Sequence, residues 1–481
     1  MNHLRWSVLG LALAGILDVS AASATEQPAP TPHRPTTEVQ KKPRALSAAT
    51  PAAQPSAEAA KLEELEQKVL ILQRRTEISE EDAAKKKLEA PVVTASDKGF
   101  ALASPDKAFE LKLRGYAQAD SRFVANDTNG TFSDTFLLRR VRPILEGTLY
   151  KTYGFRVMPD FGSGATLLQD AYIDLNFLPE LKFRAGKFKG PVGLERLQSG
   201  TDIRFVERGL PTNLVPNRDL GVQVSGDLFD NTLGYAVGVF NGAPDGGNSD
   251  LDVTDGKEFE GRLFATPLRN HFGPFQNLGV GFAATAGDTK GSADLGKLKT
   301  QAQQTFFSYL SSSTPTPVNT AAANGLHYRL APQANWYYKQ FGLLGEYAVS
   351  SQEVKIDTTK KTLSNDAWQV LGSWIITGEE NSFKGVTPSA PFDLSKGTWG
   401  AWELVGRYGQ LDVDNDAFPL FADPAKSATA AQSWGVGLNW YLNKNLRLEA
   451  DYEQTSFDGG AKSGGNRPDE QAFLTRLQLG W

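Results

Sequence analysis

The alternation that begins in "FELKLRGYAQADSRF", Phe109 to Phe123, constrains this chain more than any other feature. Phe109, Leu111, Leu113, Gly115, Ala117, Ala119, Ser121 and Phe123 occupy every second position, and Glu110, Lys112, Arg114, Tyr116, Gln118, Asp120 and Arg122 stand between them. A period of two marks a strand whose two faces meet different surroundings. The pattern persists to Trp481 through segments such as "LQDAYIDLNF", "TWGAWELVGRYGQL" and "LRLEADYEQTSF", sixteen candidate strands in all.

The connections alternate in length. Short turns ("KTYG", "FLPEL", "LFDNT", "YKQFG", "YLNKN") interleave with longer segments rich in Gly, Asp, Asn and Ser, as in outer-membrane barrels. One connection, Thr377 to Lys396, is long on the side that should be short, which leaves one strand assignment open there. The pattern predicts an all-β fold: a 16-stranded antiparallel transmembrane β-barrel, with a short N-terminal coiled-coil helix. Only a closed sheet satisfies every backbone amide within hydrocarbon, and sixteen strands enclose more space than side chains fill, so a channel follows.

A soluble all-β protein would show the same alternation as core against solvent. Against it, aromatics gather near strand ends (Trp336, Tyr337 and Tyr338; Trp399 and Trp402; Trp434, Trp440 and Tyr441), as interface girdles require, and the last strand closes on "RLQLGW". Mean hydropathy of −0.35 does not oppose a membrane reading, because polar and apolar residues of a barrel alternate.

The N-terminus reads as a secretory signal over residues 1–24, with Arg5 ahead of "SVLGLALAGIL" and small residues "SAASA" before cleavage at Ala24. Residues 25–55, rich in Pro, Ala, Thr and Gln, read as a flexible tether. Over 56–90, Leu62, Leu65, Val69 and Leu72 fall at a/d spacing among Glu, Lys and Arg, which predicts a self-associating periplasmic coiled coil, and Pro91 ends it. The barrel is assigned to 98–481. Past the signal no further apolar run of about 18 residues occurs, so no helix is expected to span a bilayer.

The absence of cysteine excludes disulfides and thiolate chemistry. A net charge of −5 argues against a general affinity for nucleic acid, so anion recognition has to come from charges placed locally. Strand parity turns Lys112, Arg114, Arg140, Arg142 and Arg156 toward the lumen, with Arg139 at opposite parity near a strand end; Glu110 and Glu146 could neutralise part of this cluster. Stacked guanidinium groups can replace phosphate hydration with paired N–H donors, and rings of Arg and Lys select anions. The bland alternative is that these charges pair with carboxylates across the wall; it suits the acid-rich strand around Arg447 best.

The third long connection, "GPVGLERLQSGTDIRFVERGLPTNLVPNR", mixes Arg196, Arg204, Arg208 and Arg218 with apolar residues. It is expected to fold back into the barrel as the constriction, beside small lumenal residues Thr232, Gly234, Ala236 and Gly238, with Arg204 and Arg208 at the narrowest water column. Only four histidines occur and no nucleophile–base–acid arrangement is visible, so no enzyme activity, cofactor or metal is expected. An outer-membrane hydrolase and a stalked adhesive anchor are the competing classes.

"LRRVRPILEGTLYKTYGFRVMPDF", "LLQDAYIDLNFLPELKFRAGKFKGPVGLERL", "FVERGL", "GAWELVGRYGQLDV" and "GLNWYLNKNLRLEADYEQTSFD" occur in this order across Phe109 to Trp481. In these segments the chain resembles the phosphate-selective porin O and P family. The resemblance implies a trimeric porin in the outer membrane of a Gram-negative bacterium that passes small anions, phosphate or pyrophosphate favoured. A weakly selective general porin for other small solutes is the alternative.

Overall fold

The computed structural model describes residues 56–125, 134–252, 255–289, 295–311 and 319–481. The signal and tether expected over 1–55 lie outside the described residues.

Helix α1 (Ala57–Glu89) forms where the heptad spacing predicts it. Leu62, Leu65, Val69 and Leu72 are each more than half exposed. Two compact units divide the chain, one ending at Ile78 and one running from Ser79 to Trp481.

Within the second unit, β1 (Val92–Ser96) and β2 (Gly99–Ala103) make a hairpin. The closed sheet then runs through β3 (Phe109–Val124), β4 (Thr135–Leu149), β5 (Tyr153–Asp160), β6 (Leu167–Leu178) and β7 (Leu181–Phe188). After a long loop holding the short helix α2 (Leu194–Leu197) come β8 (Asp219–Leu228), β9 (Leu233–Phe240), β10 (Glu258–Ala265) and β11 (Gly279–Asp288). A loop hairpin, β12 (Leu298–Lys299) and β13 (Thr305–Phe307), precedes β14 (Ala322–Tyr338), β15 (Phe341–Ile356) and β16 (Thr359–Ile375). Then follow β17 (Ala401–Asp412), β18 (Ala428–Tyr441), β19 (Leu446–Gly459) and β20 (Glu470–Gly480).

Each barrel strand pairs antiparallel with the next, and β20 closes on β3 from Ala472↔Val124 to Gly480↔Tyr116. The sixteen segments read from the sequence are these sixteen barrel strands. Below the point where β20 ends, β2 takes its place along β3, Phe100 opposite Leu113.

Burial inverts the arrangement of a soluble protein. Leu343, Val370, Trp374, Leu404, Tyr408, Trp434 and Leu438 are exposed outward, while Arg329, Glu346, Glu403, Arg407, Arg447, Asp451 and Arg476 are buried inward. Such a surface is stable only against hydrocarbon, which rules out the soluble reading. No helix among the described residues is long and apolar enough to cross a membrane; the strands cross instead.

Both chain ends of the barrel lie at one rim, here the terminal rim; the long loops leave from the other, the loop rim. The β7–β8 loop (189–218) turns into the lumen, as the sequence predicts. Its Val192, Leu210, Leu214 and Val215 join Phe306 and Phe307 of the β12–β13 hairpin, Phe421 of the β17–β18 loop and wall residues Val354, Leu363, Leu411 and Phe457 in one apolar cluster. This cluster fills one side of the loop-rim half of the barrel, and water keeps the other.

The unusually long connection between β16 and β17 hides no strand. It bends inward from the terminal rim, where Val386 packs with Ile375, Ala401 and Tyr441, and Asn381 and Phe383 meet the β7–β8 loop. Its length serves the lumen, so the expected alternation of short and long connections fails at this one place without changing the strand count.

Candidate functional site

The β7–β8 loop is pinned to the wall by polar groups on β15 and β17–β19. Backbone N–H groups of Leu194 and Val206 donate to the carboxylates of Glu346 (2.7 Å) and Asp451 (2.6 Å). In return Arg447 donates to the Ile203 carbonyl at 3.1 Å and Arg407 to the Glu207 carbonyl at 3.0 Å. Arg407 also stacks its guanidinium 4.2 Å from the Phe205 ring centroid. Gly193 permits the turn into α2 at φ +79°, and a Cβ there would lie 2.8 Å from Val215 Cγ2. The acid-rich strand around Arg447 therefore does more than pair its own charges: it is the wall that holds the loop.

Anchored on that side, the loop leaves two cavities on the other. The cavity toward the terminal rim has a volume of about 760 Å³ and that toward the loop rim about 440 Å³. Arg142, Lys189 and Arg218 line both, so they mark the narrow passage between them. The larger cavity is lined by eleven Lys and Arg against four carboxylates, the smaller by nine against three. Both are strongly positive although the chain is net negative. The small residues Gly234 and Ala236 border a side cavity of about 260 Å³ with Lys189, Pro191 and Leu197, so the loop leaves room there.

The strand cations are largely spent on carboxylates. Lys112 pairs with Glu110 at 2.8 Å, Arg114 with Glu146 at 2.7 Å, Arg142 with Asp160 at 2.7 Å and Arg156 with Asp170 at 3.4 Å. Arg218, in the loop, pairs with Asp170 at 2.7 Å. Arg139 and Arg140 both face inward despite adjacent positions, because the β3–β4 register slips at this point, Gln118 opposing Arg140 and Ala119 opposing Leu138. A β-bulge re-aims a side chain in this way, and it brings Arg139 to Glu207 alongside Arg140 and Arg122.

Arg204, expected at the narrowest water column, lines neither cavity. It is buried in an ion pair with Glu403 at 3.0 Å and donates to Asn381 Oδ1 and the Ser382 carbonyl, each at 2.7 Å. It ties the loop to the wall and to the inward-bent β16–β17 connection. Arg208 does line the loop-rim cavity.

Three loop cations have no carboxylate within ion-pair distance among the described residues. Lys189 donates to the Gln198 carbonyl at 2.7 Å; Arg208 donates to the same oxygen at 2.8 Å and to the Glu195 carbonyl at 3.0 Å; Arg196 donates to the Thr212 carbonyl. Burial, and then the charges of Arg208, Arg218 and Arg196, push the Lys189 ammonium well below the usual lysine range. Burial, and then the charges of Arg208 and Arg218, lower Arg196 to about 9. Cations this crowded, held only by neutral carbonyls, are the groups whose charge an entering anion would offset. Lys189 escaped the sequence reading because it stands at the end of a strand, where parity no longer says which way a side chain points.

The profile of the family described as phosphate-selective porin O and P matches residues 109–481. The chain belongs to that family. It is 28% identical over 427 residues to Porin O of Pseudomonas aeruginosa, covering 81% of this chain and 92% of the relative. Among solved structures, the outer membrane channel DcaP of Acinetobacter baumannii aligns with a TM-score of 0.51 at 12% identity, over 78% of this chain and 98% of that one. Membership fixes the porin as an outer-membrane channel protein, and its relatives are channels rather than enzymes. Among the described residues no group of three or more His, Asp or Glu is placed to hold a metal ion.

Proposed function

We propose that this porin is an anion-selective channel for the passive uptake of phosphate, pyrophosphate or polyphosphate. The observation that carries the reading is the set of three loop cations, Lys189, Arg196 and Arg208, without carboxylate partners among the described residues, beside the seam of the two cavities. A phosphate entering from the loop rim would exchange water for N–H donors there and then meet Arg142, Arg156 and Arg218, whose own carboxylates keep binding weak enough for release. The paired strand arginines favour the second reading, a weakly selective general porin, to the extent that they alone line the path.

Reversal potential across a planar bilayer in a KCl gradient, with phosphate titrated in, separates the two. Strong anion selectivity and chloride current blocked by phosphate support the first; weak or cation selectivity overturns it.

The terminal rim is assigned to the periplasmic side, and α1 is assigned to the periplasm as a coiled coil following a cleaved signal (1–24) and tether (25–55). The assembly is assigned as a homotrimer. Support for it lies in the exposed heptad stripe of α1 and in the distribution of tryptophan: Trp6 apart, every Trp falls at or after Trp336. Trp481, just after β20, lines the terminal-rim cavity, so the outer face of β20 and β3–β5 carries none of the Trp girdle of a lipid-facing wall, and Ala117, Ala119, Ser121 and Thr475 put small side chains there. Replacing Ala119 by Trp tests this: loss of the trimer in detergent supports the interface, and an intact trimer places lipid there.

A further inference from the structure

The loop-rim cavity contains a carboxylate where an anion would be expected. Arg122, Arg139 and Arg140 converge from β3 and the bulged β4, and Glu207, carried in on the β7–β8 loop, sits among them. Arg122 Nη2 reaches Glu207 Oε1 at 2.9 Å, Arg139 Nη2 reaches Oε2 at 3.2 Å with its Nε on Oε1, and Arg140 Nη2 lies 3.5 Å from Oε2. The Glu207 side chain is only 3% exposed. Burial alone would raise its carboxyl, yet Arg139 and Arg140 outweigh burial and hold it well below the usual carboxylate range. It is a permanent negative charge.

Three guanidinium groups against one carboxylate leave the cluster positive, and Arg139, Arg140 and Glu207 all line the cavity. A structural strap for the loop would not need three arginines: Arg407 already holds the Glu207 carbonyl, and Asp451 the neighbouring Val206 amide. What the carboxylate uniquely does is occupy the anion position of the cluster.

We propose that Glu207 is a specificity-determining residue, a tethered anion that fills the arginine cluster of the loop-rim cavity and so limits how tightly that cavity holds a phosphate-class anion in transit. The inference rests on the anion-channel reading above. A site with three open guanidiniums would bind a multivalent anion too well to pass it on, and conduction requires release as much as capture.

The experiment is chloride conductance of the full-length porin in planar bilayers, with inorganic phosphate titrated into wild type, Glu207→Gln, Glu207→Asp and the double variant Glu207→Gln/Arg139→Gln. Removing the charge in E207Q should lower the phosphate concentration for half-block by about tenfold or more, given one unit charge a few ångströms away in a partly screened site. E207D keeps the charge and should stay near wild type. The double variant removes one cation with the anion and should return the block toward wild type. An unchanged or weaker block in E207Q, E207D behaving as E207Q does, or failure of E207Q to assemble would each overturn the proposal, making Glu207 a strap. If wild type itself shows no block by phosphate, the anion-channel reading fails first.

Discussion

Lys189 and Arg208 donate to one and the same acceptor, the carbonyl oxygen of Gln198, at 2.7 and 2.8 Å. Two positive charges thus converge on a single neutral oxygen, inside a loop whose backbone is fixed to the far wall by carboxylates. The wall takes the negative charge and the water column is left with the positive. On the anion-channel reading, selectivity would follow from that separation, since the chain as a whole is acidic.

If these two cations form the central anion position, neutralising either one should weaken it. Lys189→Gln or Arg208→Gln is expected to raise the phosphate concentration for half-block roughly tenfold, the scale of a lost hydrogen bond to a charged group. The double variant should lose less than the product of the two, because both act on the same anion. Conductance block by phosphate in single-channel recordings checks this; two unaffected variants would move the binding position elsewhere.

Arg204 should behave differently. Its guanidinium is closed on Glu403, Asn381 and Ser382, so Arg204→Ala leaves Glu403 buried without its cation. Breaking such a pair costs about 3–5 kcal/mol. The expected outcome is a lower midpoint for heat-induced unfolding of the barrel, with the ion selectivity of assembled channels close to wild type. A selectivity loss as large as that of Arg208→Gln, at unchanged heat stability, would put Arg204 back in the water column.

How far this could be read from the amino-acid sequence depended on which element held a residue. Strand residues are fixed by parity, so the inward set from Lys112 to Arg476 and the outward face from Phe109 to Leu479 were legible. Arg139 was at the wrong parity, and only the bulge opposite Gln118 and Ala119 turns it inward. Loop residues obey no period. The sequence singled out the β7–β8 loop, but nothing in it distinguishes Arg204, consumed by Glu403, from Arg208, which meets only carbonyls. That depends on which wall the loop leans against. Glu207 adjoins Arg208 in the same loop, but its three arginines arrive from strands more than sixty residues away in sequence.

The inward-bent β16–β17 connection narrows the terminal-rim cavity, which Lys384, Gly385, Val386 and Thr387 help to line. Replacing residues 382–387 with two glycines should widen that exit and raise single-channel conductance in KCl. Arg204 loses the Ser382 carbonyl and Gln198 loses the Phe383 carbonyl, but Glu403 still holds Arg204 and Glu346 and Asp451 still hold the loop backbone, so the loop should stay in place and phosphate block should persist. Conductance at or below wild type would mean that the narrowing lies wholly at the seam between the cavities.

The depressed Lys189 ammonium gives the channel a pH dependence whose sign can be worked out. A lysine ordinarily holds its proton to about pH 10.4; here burial and the charges of Arg208, Arg218 and Arg196 release it earlier. As pH rises past that lowered value, the narrow passage loses one positive charge and anion selectivity should fall, with Arg196, lowered to about 9, adding to the loss only at more alkaline pH. Stability moves the other way: over the same window the unfolded chain holds more protons on this group than the folded one, so folding is favoured as pH rises. A selectivity loss therefore cannot come from this group loosening the loop. Reversal potentials in a KCl gradient from about pH 6 to about pH 8, below the range where Arg196 titrates, should show the decline, and Lys189→Arg, whose guanidinium holds its proton more tightly than an ammonium, should flatten it. A decline of equal size in Lys189→Arg would assign the titration to another group.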